Sequence, residues 1–377
     1  MSCRPVAVAA ILLSTPVCLG AQDFHRADSI VASGITKGIY PGAVLIIGRK
    51  DGVLHARGFG HLTWRASAPV PSPDSTLWDL ASLTKVVGTT AAIMRLVEDH
   101  RVDLELPANH YLPRFAGGER GRVTVRMLLN HTSGLPSYVE FFRLAATRDS
   151  AVSLLYHTPL RHRPGTVAEY SDLNFLLLGL LVEQVSGESL DQFVERSVLI
   201  PAGMAHTYYR PGDSVAARTA PTGQWKGHAV CCVVNDQNAA RLGGAAGHAG
   251  LFSTGVDLAR YARLWMNGGS LDGRQLFLPG TVRTFLTPDS ADATRLLGWE
   301  RPPSRRDDSA YGKLISSSSY GHTGWTGTLL WIDPERDLFV VLLTNRTFGP
   351  KIGHSIAALR SVRGALADAV VRATAPS

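Results

Sequence analysis

The apolar positions of this chain follow two periods. Leu83, Val86, Thr90, Ile93 and Val97 recur every three or four residues, which predicts an amphipathic helix opening at about Ser82. From residue 172 to 186 the pattern changes. Leu173, Leu176, Leu177, Leu180, Leu181 and Val185 leave almost no polar face, so this helix is expected to be buried nearly all round. Further helices are predicted at about 25–36, 123–129, 256–266 and 356–372. Runs of the strand type lie near the two ends. Segments 42–49 and 53–60 flank Asp51-Gly52, a strong hairpin signal, and segments 324–332 and 338–344 flank a turn at 333–337. An isolated hairpin is marginal in water, so the two pairs are expected to share one sheet. The expected class is α/β (α+β): an antiparallel sheet flanked by helices, plus a mostly helical subdomain. The sheet region falls at about 22–80 and 250–377, and the helical region at about 81–249.

At 377 residues, with 45% hydrophobic and 18% charged residues, the chain can bury a large core. Arg4 precedes an apolar stretch over 5–19, and Gly20-Ala21-Gln22 follows. This reads as a secretory signal peptide at 1–21, leaving a single composite domain at 22–377 that is secreted or periplasmic. No internal apolar run approaches the ~20 residues of a membrane span. Cys3 and Cys18 depart with the leader, and the neighbours Cys231 and Cys232 are too few for a disulfide framework, so free or buried thiols are expected. The formal charge of +7 is scattered, and Arg305-Arg306 is cancelled at once by Asp307-Asp308, which argues against nucleic acid as a partner. None of the 13 histidines forms a closely spaced pair flanking a carboxylate, so no metal site is indicated. The glycine-dense stretch 243–250 is not a phosphate loop, since no Gly-Lys-Ser/Thr follows it.

Candidate chemistry begins with Ser82-Leu-Thr-Lys85. Residues three apart on a helix share a face, so the amine can sit over the hydroxyl. A serine needs an adjacent base, and a lysine whose proton affinity is lowered by burial can serve. Alone the pair is a weak signal, because Ser-x-x-Lys recurs by chance on exposed helices. Two later segments agree with it. They are Tyr170-Ser171-Asp172 and Tyr320-Gly-His322-Thr323-Gly324-Trp325-Thr-Gly.

With these three segments in this order, the chain resembles the serine β-lactamase and penicillin-binding protein superfamily, in its class C-like branch. The stretches Met127-Leu-Leu-Asn-His131-Thr-Ser-Gly-Leu-Pro136 and Gly247-His-Ala-Gly-Leu-Phe-Ser-Thr254 look like framework segments of that family. The resemblance covers nearly all of the chain beyond the leader. It implies Ser82 as nucleophile, Lys85 as the nearby amine and Tyr170 as proton shuttle to the leaving group, the phenol being acidified by positive charge. It also implies an oxyanion hole of the Ser82 and Trp325 backbone N–H groups, next to the Thr323-Gly324 strand end. Two positions depart from the family pattern. His322 stands where a lysine commonly holds a substrate carboxylate, and a neutral imidazole would hold it more weakly. Asp172 stands where an asparagine donates to substrate; an ionised aspartate only accepts, so it is expected to pair with Lys85. His131 and His248 are read as framework histidines without a partner carboxylate. Asn235-Asp236 is read as a pocket border opposite the nucleophile.

The reading is an exported serine hydrolase that forms an acyl-enzyme on an ester or amide, such as a carboxylesterase or a D-alanyl-D-alanine carboxypeptidase. Its substrate would be a small molecule or a peptidoglycan peptide, and no metal or organic cofactor is implied. The alternatives are a class C-like β-lactamase, a catalytically silent penicillin-binding module, and an acyltransferase.

Overall fold

The computed structural model describes residues 22–225, 228–288, 294–303, 310–348 and 356–375. The expected leader at 1–21 and the Arg305-Arg306-Asp307-Asp308 run lie outside them. The main sheet has five strands: β1 (Gly42–Arg49), β2 (Gly52–Gly60), β3 (Tyr320–Thr323), β4 (Leu329–Asp333) and β5 (Leu338–Thr344). They run in the order β3-β4-β5-β1-β2, every neighbouring pair antiparallel. The two ends of the chain meet where β1 pairs with β5, with Val44 opposite Leu343 and Leu45 opposite Leu342. The run at 324–332 is not one strand. Residues 324–328 leave the ladder as a tight loop, closed by Gly324 N–H donating to Thr328 O at 2.8 Å, and β4 starts only at Leu329.

Strand period two separates two cores. Ala43, Leu45 and Ile47 of β1, with Leu338, Val340 and Leu342 of β5, face the terminal helices α1 (His25–Thr36) and α5 (Ile356–Thr374). Val44 and Ile46, with Val341 and Leu343, face the larger core of the helical body. A strand apolar on both faces therefore sits inside the sheet, covered by a helical layer on each side.

In that body lie α2 (Ala91–Glu98), α3 (Asp172–Ser186) and α4 (Gly255–Met266). A π-helical segment, Lys85–Thr90, runs directly into α2. The Ser171 side chain caps α3 by accepting from Leu173 N–H, and Gly187 ends that helix in the left-handed region with φ 78°. Helix α3 is buried through most of its length, as its apolar pattern predicts. Helix α4 packs against β1 so closely that a Cβ on Gly255 would lie 2.8 Å from Ile46 and 2.9 Å from Val44.

Candidate active site

Ser82 occupies the turn just before the first helical residue, Leu83, and is half-buried. The residue ahead of it, Ala81, has a φ of 47°, a costly conformation for an alanine. The buried carboxylate of Asp79 fixes that turn by accepting from Ala81 N–H at 2.8 Å, and it also accepts from Asn235 N–H at 2.7 Å. Burial pushes the Asp79 carboxyl up to about 6.

Lys85 is fully buried, and its Nζ has three partners: Ser82 Oγ at 2.8 Å, Asp172 Oδ1 at 2.7 Å and the His248 carbonyl at 3.3 Å. The contacts with Ser82 and His248 are hydrogen bonds, and the one with Asp172 is an ion pair. The expected loss of proton affinity is reversed. Burial pushes the amine down, but the Asp172 carboxylate and Tyr170 outweigh it and hold Lys85 at about 12, charged at neutral pH.

The Tyr170 hydroxyl donates to Ser82 Oγ at 2.9 Å, and Lys85 Nζ lies 5.0 Å from the centre of its ring. The phenol is not acidified overall. Burial pushes it up to about 12 and Lys85 pulls it only part of the way back. His131 anchors this segment: its Nδ1 accepts from Ser171 N–H at 3.1 Å, and its ring lies 4.8 Å from that of Tyr170. Burial holds His131 well below the usual imidazole range, so it is a neutral acceptor.

His322, on the edge strand β3, is buried with its Nδ1 2.9 Å from Thr323 O and its Nε2 3.9 Å from Glu300 Oε1. Burial pushes it down to about 4, although Glu300 opposes this, so it is neutral at pH 7. Glu300 in turn accepts from Arg295 and Tyr311, each at 2.7 Å, and its backbone pairs with Gly321 beside β3. Beyond β3 the loop at 324–328 is latched to the turn that carries Ser82. Thr326 Oγ1 donates to Asp79 O at 2.7 Å and Thr328 Oγ1 to Leu80 O at 3.0 Å. The loop passes so near that a Cβ on Gly324 would meet Leu80 O at 2.6 Å, which explains the glycine. Among the described hydrogen bonds neither Ser82 N–H nor Trp325 N–H has an acceptor, so both are available to a ligand. Thr323 is half-buried, while the Trp325 side chain is 60% exposed with the Arg346 guanidinium 4.5 Å from its ring centre.

Sequence reading missed three parts of this arrangement. His248 does have a carboxylate: its Nε2 lies 2.8 Å from Asp236 Oδ1, a contact between distant side chains that spacing could not declare. Asp236 also caps the short helix Gln237–Arg241, and His248 and Lys85 pull it down to about 2 against burial. Asp79, Arg295 and Glu300 belong to no motif; Asp79 is buried, and Arg295 and Glu300 are a half-buried ion pair. Asp172, Asp236 and His248 each bring one possible ligand atom within 4.8 Å of the others, the arrangement that spacing had not indicated. Those atoms are already committed to Lys85 and to each other, so a cation would have to displace the lysine. Cys231 and Cys232 are free thiols on the same loop as Asn235.

Comparison with known proteins gives the family and the fold. The family model described as Beta-lactamase matches residues 27–363. A "Putative D-alanyl-D-alanine carboxypeptidase" of Escherichia coli strain K12 is 31% identical over 363 residues, covering 87% of this chain and 83% of the relative. An N-acetylmuramyl-L-alanine amidase of Bacillus subtilis strain 168 is 32% identical over 365 residues, covering 88% and 82%. A solved class C β-lactamase superposes with a TM-score of 0.73 at 19% identity, covering 92% of this chain and 95% of that one, a likeness of fold. The chain belongs to the Beta-lactamase family and is a serine hydrolase.

Proposed function

We propose that this hydrolase opens an amide of a cell-wall peptide, or an equivalent small ester, through an acyl-enzyme on Ser82. The observation that carries the reading is Ser82 Oγ held at 2.8 Å from Lys85 Nζ and 2.9 Å from the Tyr170 hydroxyl, with Asp172 behind the lysine. At neutral pH Lys85 is an ammonium and Tyr170 a phenol, so the base within reach is the Asp172 carboxylate, acting through Lys85. Lys85 gives a proton to Asp172 and takes the one on Ser82 as its oxygen attacks the carbonyl carbon. The N–H groups of Ser82 and Trp325 hold the oxyanion. As the tetrahedral intermediate collapses, Tyr170 gives its proton to the leaving nitrogen or oxygen and recovers one from Lys85, which regains its own from Asp172. Water then repeats the cycle on the acyl-enzyme.

The two curated relatives support a wall-peptide amide, since both are named for bonds in peptidoglycan. A neutral His322 supports weaker recognition of a substrate carboxylate than in a dedicated β-lactamase or DD-peptidase, which favours an ester, or an amide without a free carboxylate beside it, within this reading. Export through the leader would place the enzyme where such peptides occur. The test is labelling of the purified protein with a fluorescent penicillin, alongside turnover of a D-alanyl-D-alanine peptide, p-nitrophenyl esters and nitrocefin. Labelling lost in Ser82→Ala, with peptide or ester turnover and slow nitrocefin turnover, is expected. A folded Ser82→Ala variant with wild-type activity would overturn the nucleophile, and fast nitrocefin turnover would overturn the substrate class.

A further inference from the structure

Arg363 lies in α5, on the layer of the sheet away from the helical body, yet it reaches the loop beside Ser82. It is 2% exposed, and its Nη2 donates to two carbonyls of that loop, Gly324 O at 2.9 Å and Thr328 O at 2.7 Å. The Gly324 carbonyl and the Trp325 N–H belong to the same peptide unit. Among the described residues no carboxylate forms an ion pair with Arg363, so its charge is not cancelled at contact. Burial pushes the guanidinium down only to about 10, and it stays charged at neutral pH.

We propose that Arg363 is a positioning residue that polarises the Gly324–Trp325 peptide and thereby strengthens the Trp325 N–H as a donor to the oxyanion. A cation bonded to the carbonyl end of an amide draws electron density from its nitrogen, so the N–H at the other end becomes more acidic. Chains of hydrogen bonds strengthen one another by roughly 10–30% per bond, and a charged donor acts more strongly than a neutral one. The second bond, to Thr328 O, holds the other end of the loop, so one guanidinium fixes both the direction and the strength of the donor. Its effect grows as negative charge gathers on the substrate oxygen, which makes it a transition-state effect rather than a binding one.

This inference rests on Ser82 being the nucleophile. If wild-type protein fails to label at Ser82, that reading has failed before Arg363 is reached. With labelling in hand, Arg363→Met and Arg363→Lys are compared with wild type by kcat and KM on a p-nitrophenyl ester, and by affinity for phenylboronic acid, which forms a tetrahedral adduct on the serine. The carbonyl stretch of the acyl-enzyme is read by infrared spectroscopy. Direct removal of an oxyanion donor costs roughly 10²–10³-fold, so this indirect effect is expected to cost kcat about tenfold or more in Arg363→Met, with KM little changed. Boronate affinity should fall in step, and the acyl carbonyl stretch should rise. Arg363→Lys, which keeps the charge, should fall between. A folded Arg363→Met with wild-type kcat, boronate affinity and carbonyl stretch overturns the proposal. So does a loss of kcat and a rise in KM together that lysine does not relieve, the mark of simple loop collapse. Should the methionine variant not fold, the lysine variant decides: its shorter reach predicts a raised carbonyl stretch, and an unchanged one overturns the proposal.

Discussion

Two buried cations serve opposite sides of Ser82, and the protein treats them differently. Lys85, from the helical body, sits 2.7 Å from a carboxylate, whereas Arg363, from the far layer, is bonded among the described residues to carbonyls alone. Both are costly to desolvate. In the proposed mechanism, pairing with Asp172 gives the lysine a partner to which it passes a proton and from which it recovers it. In the role proposed for it, the arginine, with no carboxylate in contact among the described residues, acts along one peptide toward the place where charge would develop. A cation meant to move protons needs a base beside it; a cation meant to polarise is weakened by one.

The largest effect on the proton-handling side should come from Tyr170→Phe. The ring packing stays while the proton path to the leaving group goes, so turnover should fall by about 10²–10⁴-fold with some penicillin labelling retained. The measurement is kcat/KM beside labelling yield, and equal loss of both would mean that tyrosine serves acylation alone. Asp172→Asn tests the lysine's partner. An amide cannot take the proton, so kcat/KM at pH 7 should drop by about 100-fold. Without the carboxylate, burial lowers the proton affinity of Lys85, and activity should recover as pH rises. A pH–rate profile superposable on that of wild type would show the carboxylate to be a bystander.

The smallest effect lies on the oxyanion side, in stability. Burial holds His322 at about 4 in the folded protein, below its ordinary value of 6.5. The unfolded chain therefore binds this proton first. The contribution is full above about pH 6.5 and is lost as pH falls toward 4, by at most about 3 kcal/mol. His322→Gln should flatten the stability curve over that window in urea titrations between pH 4 and 8. Asp79 acts in the other sense, because its carboxyl sits at about 6 when folded: its contribution is present below about pH 4 and lost as pH rises through 6. It is common to both proteins, so it cancels in the difference. Equal slopes for the two would place His322 in a wetter setting than its burial implies.

Periodicity alone located the helix of residues 172–186, the β1–β2 hairpin and the joining of both chain ends in one sheet, because side-chain period and turn chemistry are local properties. The Ser82–Lys85 contact was legible for the same reason, as a three-residue spacing on a helix. Tyr170 and His322 could be picked out only through the family resemblance, since nothing local in the chain ties them to Ser82. What the tertiary structure decided is the charge state of the site. Burial of the Ser82–Lys85 pair predicts a lowered proton affinity for Lys85, and the resemblance implies an acidified Tyr170; both are reversed, because the balance of burial against Asp172 depends on distances between side chains far apart in sequence. The Asp236–His248 contact, the Asp79 clamp and the reach of Arg363 from the last helix to the Gly324 carbonyl have the same origin. Sequence specifies which groups are present and which face they share; electrostatic energies depend on separation and solvent exclusion, and only the packed fold sets those.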